Sequence, residues 1–191
     1  SHGLDRPVAA KIICVFVIAF ASTKGFPKDP PVPMSDREKI LAVAVSQIGI
    51  KEATGRNDGE VEKYIDSVGL DGKAGYPYCV AAIYWTGKEA LGSKNPYPKS
   101  AWSPDFVKKG ERFSKTTVIK GGECGGIYFR SKGRIAHGFI CESFDGKNLI
   151  TIEWNTNAKA AVGSAGDRDG QNVCRKRRHY RTVHSVRDWL K

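Results

Sequence analysis

The sequence predicts an α+β fold in which N-terminal helices pack on a C-terminal antiparallel β-sheet. Two observations carry this. From Ser35 to Ser103-Pro104, apolar residues recur at helical spacing between Gly and Pro breaks. From Ile127 onward the apolar runs are short, alternate with polar residues and are separated by turn signals. Helices first and strands second is the layout of a segregated α+β domain. The length of 191 residues fits one domain with some extra sequence. At 40% hydrophobic and 27% charged, the composition is that of an ordinary globular chain.

Residues 1–33 read differently from the rest. Arg6 and Lys11 precede an apolar run, Ile12 to Ala21, with Ala19, Ala21 and Ser22 near a candidate cleavage point. The run is too short to span a bilayer and has the form of a secretory signal. Pro27, Pro30, Pro31 and Pro33 then mark an extended linker. Met34 is the alternative start. Residues 34–191 form the expected domain.

Ser35, with Glu38 three residues on, is a capping box for the first helix, which carries Ile40, Leu41, Val43, Ala44 and Ile48. After the polar loop Ala53–Gly59, a second helix is expected over Glu60–Val68, stopped by Gly69. A turn, Gly75-Tyr76-Pro77-Tyr78, leads into a third helix, Cys79 to Trp85. It is apolar nearly all round and therefore expected to be buried. Ser103-Pro104 opens a fourth. Strands are expected at Ile127–Phe129, Ile135–Cys141 and Leu149–Glu153, with turns at Gly133 and Asp145-Gly146. A Gly-rich loop, Gly163 to Gly170, leads to a last strand near Val173–Arg177.

The formal net charge is +11, which suggests an anionic partner: nucleic acid, anionic lipid or an acidic envelope polymer. Removing residues 1–33 takes away Arg6, Lys11, Lys24 and Lys28 but also Asp5 and Asp29, so the domain itself is basic. Arg175, Lys176, Arg177, Arg178 and Arg181 are expected to line a solvated strand edge. The five cysteines, Cys14, Cys79, Cys124, Cys141 and Cys174, include no CxxC pair, which argues against a metal knuckle or a disulfide framework. Cys141 alternates with His137 and Phe139 as a core residue would; a Cys124–Cys141 bridge is conceivable in an oxidising compartment, but no spacing rule supports it.

Cys79, His137, Glu153 and Asn155 carry the chemistry. Cys79 heads a buried helix, where the partial positive charge of the helix N-terminus favours a thiolate and the backbone N–H groups can stabilise an oxyanion. His137 lies mid-strand. Glu153 and Asn155 end the next strand, and antiparallel pairing brings that end beside His137. On a regular strand Glu153 and Asn155 share a face, so one can orient the imidazole while the other supports the site. Taken singly, each has a blander reading. A cysteine in an apolar helix is usually core, a strand histidine is usually a satisfied structural residue, and a polar strand end usually caps a turn.

Residues 36–180 resemble the CHAP domain family (cysteine, histidine-dependent amidohydrolases/peptidases), papain-like enzymes of bacteria and phages. Four stretches carry the resemblance: Ser46–Gly49 with Ala53–Gly59; Tyr76–Cys79 with Ala81-Ala82-Ile83; Arg134–Ile140; and Thr151–Glu153 with Asn155–Asn157, Gly166-Asp167 and Arg175–Arg177. The order also agrees, with His137 58 residues after Cys79, Glu153 16 further on and Asn155 two beyond. Three positions depart from the family: Tyr78 stands where Trp is usual, Gly125-Gly126 where Gly-Asp is usual, and Trp154 where Gly is usual.

The resemblance implies a papain-like fold and hydrolysis of amide bonds in bacterial peptidoglycan, as amidase or endopeptidase. Cys79 would be the nucleophile, His137 the base, Glu153 its orienting partner and Asn155 a supporting polar residue. Asn57, Asp58, Tyr78 and Trp154 would contact substrate, with Trp154 narrowing the cleft. Neither a metal nor an organic cofactor is expected. The expected partners are peptidoglycan and anionic wall polymers, not nucleic acid, and the expected location is secreted, periplasmic or envelope-associated. Rival readings are a non-catalytic wall-binding module of the same fold and an antibacterial toxin or phage lysin with the same chemistry.

Overall fold

The computed structural model describes residues 32–190. The chain divides into two units, Ser1–Val32 and Pro33–Lys191, and the second contains all the secondary structure below. The signal-like run Ile12–Ala21, together with Cys14, lies outside the described residues. Among the described residues no helix is long and apolar enough to cross a membrane.

The chain forms a mixed α+β domain. Helix α1 spans Asp36–Ser46, and the capping box is present: the Glu38 N–H donates to the Ser35 hydroxyl, and the Ser35 N–H donates to the Glu38 carboxylate at 2.7 Å. Ile40 and Ala44 are its buried positions. The expected second helix splits into a 3-10 turn, Gly59–Val61, and α2, Glu62–Ser67. α3 runs over Cys79–Leu91 and α4 over Ser103–Val107. Residues Cys79 to Ile83 of α3 are all buried, as its all-round apolar character requires.

Six strands follow, broken by one short helix: β1 Glu111–Arg112, β2 Cys124–Phe129, β3 Arg134–Phe144, β4 Asn148–Thr156, α5 Ala165–Arg168, β5 Asn172–His179 and β6 Ser185–Arg187. They form one antiparallel sheet in the order β1-β6-β2-β3-β4-β5. β1 and β6 were not expected, and β6 rather than β5 is the last strand. The β3–β4 turn falls at Asp145–Lys147, where the Asp145 carboxylate accepts from the N–H groups of Lys147 and Asn148.

Both faces of the central strands are covered. Ile140 and Ile152, cross-strand partners, join α1–α3 in one apolar cluster with Trp154 and Val173. Phe139, Cys141 and Leu149 join Ile127, Phe129 and Phe113 in a second. β3 is consequently buried without a break from Ile135 to Cys141. The approach of α3 to β3 is close: a Cβ on Gly138 would stand 2.6 Å from Val80 Cγ1, which fixes where the head of α3 meets the sheet.

One expectation is corrected here, and the core reading of two cysteines is met. Alternate members of the basic run face inward: Lys176 and Arg178 are buried, while Arg175, Arg177 and Arg181 are exposed. Arg178 lies with its guanidinium 5.7 Å from the Phe139 ring centroid. Cys124 and Cys141, on the neighbouring strands β2 and β3, are free buried thiols with no disulfide between them.

Candidate active site

Cys79 is the first residue of α3. The residue before it, Tyr78, gives the helix no side-chain cap, so the N-terminal field stays unquenched by a side chain. Cys79 is 4% exposed, and its Sγ lies 3.8 Å from Ser103 Oγ at the head of α4. Burial pushes the thiol pKa up. The neighbouring His137, with the backbone of Gly138 and the Ser103 hydroxyl, outweighs it and holds the thiol below its ordinary value. The other described thiols go the opposite way: burial raises Cys124 and Cys141 strongly and pushes Cys174 up to about 11.

His137 is fully buried on β3, and its Nε2 is 2.8 Å from Glu153 Oε2 on β4. Nδ1 has no hydrogen-bond partner among the described residues. Burial alone would lower the imidazole pKa. Interaction with Cys79 and Glu153 overrides that and raises it to about 9. The thiol lowered and the imidazole raised describe a pair that favours thiolate and imidazolium.

Glu153 is held on all sides. Arg178 on β5 grips it twice, Nε to Oε1 and Nη2 to Oε2, each 2.6 Å. The Thr151 hydroxyl donates to Oε1 at 2.5 Å. Burial opposes the carboxylate's charge, but Arg178 first and His137 second keep its pKa well below the usual range. Arg178 continues to Asp167 of α5 (Nη2 to Oδ1, 2.8 Å; Nη1 to Oδ2, 3.2 Å), and Asp167 to Lys176 Nζ at 2.5 Å. Charge alternates along the buried chain His137, Glu153, Arg178, Asp167, Lys176. Each internal charge is bracketed by opposite ones, which is what such burial demands.

The structure brings Cys79, His137 and Glu153 together. It does not bring Asn155 to His137. A register shift between Glu153 and Thr156 interrupts β4, and Asn155 sits there at φ 57°, in the left-handed region that Asn tolerates. The bulge removes it from Glu153's face. Its side-chain amide donates to Asn57 Oδ1 at 2.8 Å and to the Gly170 carbonyl at 3.0 Å. Asn57, also at positive φ, donates to the Gly75 carbonyl at 2.9 Å, so the two amides tie β4 to the turn before Cys79. Asp58 folds back on its own loop, accepting from Thr54 and Arg56. Tyr78 and Trp154 are fully buried core residues, and the Tyr78 ring stacks on Tyr64 at 5.7 Å. Both are bulky and stacked or packed among α1–α3, so neither reaches the cleft expected of them.

The cleft above Cys79 has a volume of about 270 Å³ and is walled by Tyr76, Pro77, Trp102, Ser103, Arg134 and Arg168, among others. Trp102 is half exposed, with the Arg134 guanidinium 3.9 Å from its ring centroid. Sequence reasoning missed this wall and the Arg178–Asp167–Lys176 chain. Alternation along β5 puts Lys176 and Arg178 on one face, but nothing within the run marks that face as the inner one. Among the described residues no group of three or more His, Cys, Asp or Glu side chains is placed to hold a metal ion.

Comparison with known proteins gives no match to a family model, a curated protein or a solved structure.

Proposed function

We propose that this chain is a papain-like cysteine hydrolase of the CHAP type that cuts amide bonds within bacterial peptidoglycan. One observation carries the chemistry: a single thiol at the head of a buried helix, lowered in pKa and opening on a cleft, beside an imidazole anchored by a buried carboxylate. The resemblance of Tyr76–Ile83 and Arg134–Ile140 to the family supplies the substrate class. The basic domain favours residence on anionic wall polymers, and the setting is the cell envelope or outside the cell.

In this reading the Cys79 thiolate attacks the amide carbonyl carbon, and the carbonyl electron pair moves to oxygen. N–H groups of the first turn of α3 stabilise that oxyanion. Imidazolium His137 then gives its proton to the departing amine nitrogen, the C–N bond breaks, and a thioester to Cys79 remains. Neutral His137 next takes a proton from water, and the resulting hydroxide opens the thioester. The C–S bond breaks, the acid product gives its proton to solvent and leaves as carboxylate, and the thiolate–imidazolium pair is restored. Glu153 holds the imidazole through Nε2 throughout, leaving Nδ1 for the transfers.

Incubating purified sacculi with the parent protein and with Cys79→Ala, followed by mass spectrometry of the soluble products, tests this. The expected result is new muropeptides differing by one hydrolysed amide with the parent and none with the variant. Sacculi left unchanged by the parent would reject the reading in favour of a wall-binding module.

A further inference from the structure

We propose that Arg134 and Arg168 form a carboxylate-binding subsite in the Cys79 cleft, so that the amide cut belongs to a peptide with a free carboxylate beside the scissile bond. The inference rests on the hydrolase reading for the cut itself, but the binding it describes does not require turnover.

The walls of the cleft carry two guanidinium groups and no acidic side chain. A cleft that received an ammonium group would need a carboxylate there, whereas two guanidinium groups desolvated by a bound ligand favour an anion. Contacts of the side chain hold Arg134 in place, whereas for Arg168 it is the backbone that is fixed. Arg134 is the first residue of β3, three residues before His137; it stacks on Trp102 and spends one Nη1 hydrogen bond on the Ile135 carbonyl at 2.8 Å. Among the described residues its guanidinium has no carboxylate partner. Arg168 ends α5, and its neighbour Asp167 is fully buried and clamped by Arg178 and Lys176. Gly163 N–H donates to the same Asp167 carboxylate at 3.0 Å. Among the described residues Arg168 pairs with Asp169, an exposed carboxylate at 3.9 Å, too long for a hydrogen bond. The chain of contacts that anchors Glu153 therefore also sets the backbone that carries Arg168. Substrate recognition and the positioning of His137 share one buried framework.

Carboxylate beside an amide is the chemistry of a γ-linked glutamyl residue, whose α-carboxylate remains free and is neutral when amidated. Two synthetic stem tetrapeptides, identical except for a free α-carboxylate or a carboxamide on that residue, are titrated calorimetrically into Cys79→Ala. The carboxylate peptide is expected to bind at least about tenfold more tightly, the scale of a charge-assisted pair. Adding Arg168→Gln or Arg134→Gln to Cys79→Ala is expected to remove most of that preference while leaving the carboxamide peptide's affinity within about twofold. Raising the salt is expected to shrink it as well. Equal affinities, or binding of neither peptide, would overturn the subsite. A clear preference combined with intact sacculi after incubation with the parent protein would support the subsite and reject the hydrolase reading.

Discussion

Arg178 holds both carboxylate oxygens of Glu153, at 2.6 Å each, in a pair from which water is excluded. The arginine faces the phenyl ring of Phe139 and leans on Asp167, so its position is set by β3, β5 and α5 together. The orientation of His137 is therefore set two residues away, by a guanidinium that never reaches the cleft.

Replacing Arg178 with Gln leaves the Glu153 and Asp167 carboxylates buried without their shared cation. Loss of about 3–5 kcal/mol of stability is expected, the usual cost of breaking a buried ion pair from one side. Chemical denaturation measures it. Arg178→Lys keeps the charge but loses the double grip, and is expected to recover part of the stability and less of the activity.

The pH profile follows from the pair. Thiolate and imidazolium coexist between the lowered pKa of Cys79 and the His137 value of about 9, so kcat/KM is expected to fall on the alkaline side near pH 9. Glu153→Gln removes an anion that raises the imidazole, and is expected to shift the alkaline limb to lower pH. An unmoved limb would contradict the assignment. Stability has its own acid limb. Glu153 and Asp167 have folded pKa values below their ordinary 4.5 and 3.8, so their contribution is present above those values and is lost as pH falls. Urea unfolding at pH 5 and pH 3 should show the loss, smaller in Glu153→Gln.

Asn155→Ala separates structure from chemistry. The substitution removes two hydrogen bonds and leaves a left-handed backbone to alanine, so about 1–3 kcal/mol of stability is expected to go. The alkylation rate of Cys79 by iodoacetamide is expected to stay within about threefold of the parent's, because the amide bonds Asn57 and Gly170 rather than His137. A collapse of thiol reactivity in a folded variant would restore Asn155 to the catalytic group.

Gly138→Ala inserts a methyl 2.6 Å from Val80 Cγ1, between α3 and β3. Overpacking of this kind costs about 1–3 kcal/mol. Because Cys79 and His137 sit on the two elements pushed apart, activity is expected to fall more than stability, read by kcat/KM beside the melting temperature.

Much of this was legible in the residues. The capping box at Ser35 and Glu38, the buried α3 and the Asp145-Gly146 turn are local chemistry, and local chemistry decides them. β1 and β6, two and three residues long, carry too little pattern to be seen. Asn155 misled because period-two reasoning assumes an unbroken strand, and the bulge at β4 breaks it. Trp154 misled because β4 is covered on both faces, so a residue at either phase is interior. The run from Arg175 to Arg178 offers no apolar residue to mark its inner face. Only the placement of Glu153 and Asp167 beneath β5 decides that Lys176 and Arg178 point in.

The most direct measurement is the intact mass of the enzyme, acid-quenched during turnover of a stem peptide, with the modified residue located by fragmentation. The expected result is a hydroxylamine-sensitive acyl adduct on Cys79, absent from Cys79→Ala together with all hydrolysis. Hydrolysis continuing undiminished in Cys79→Ala would contradict the account.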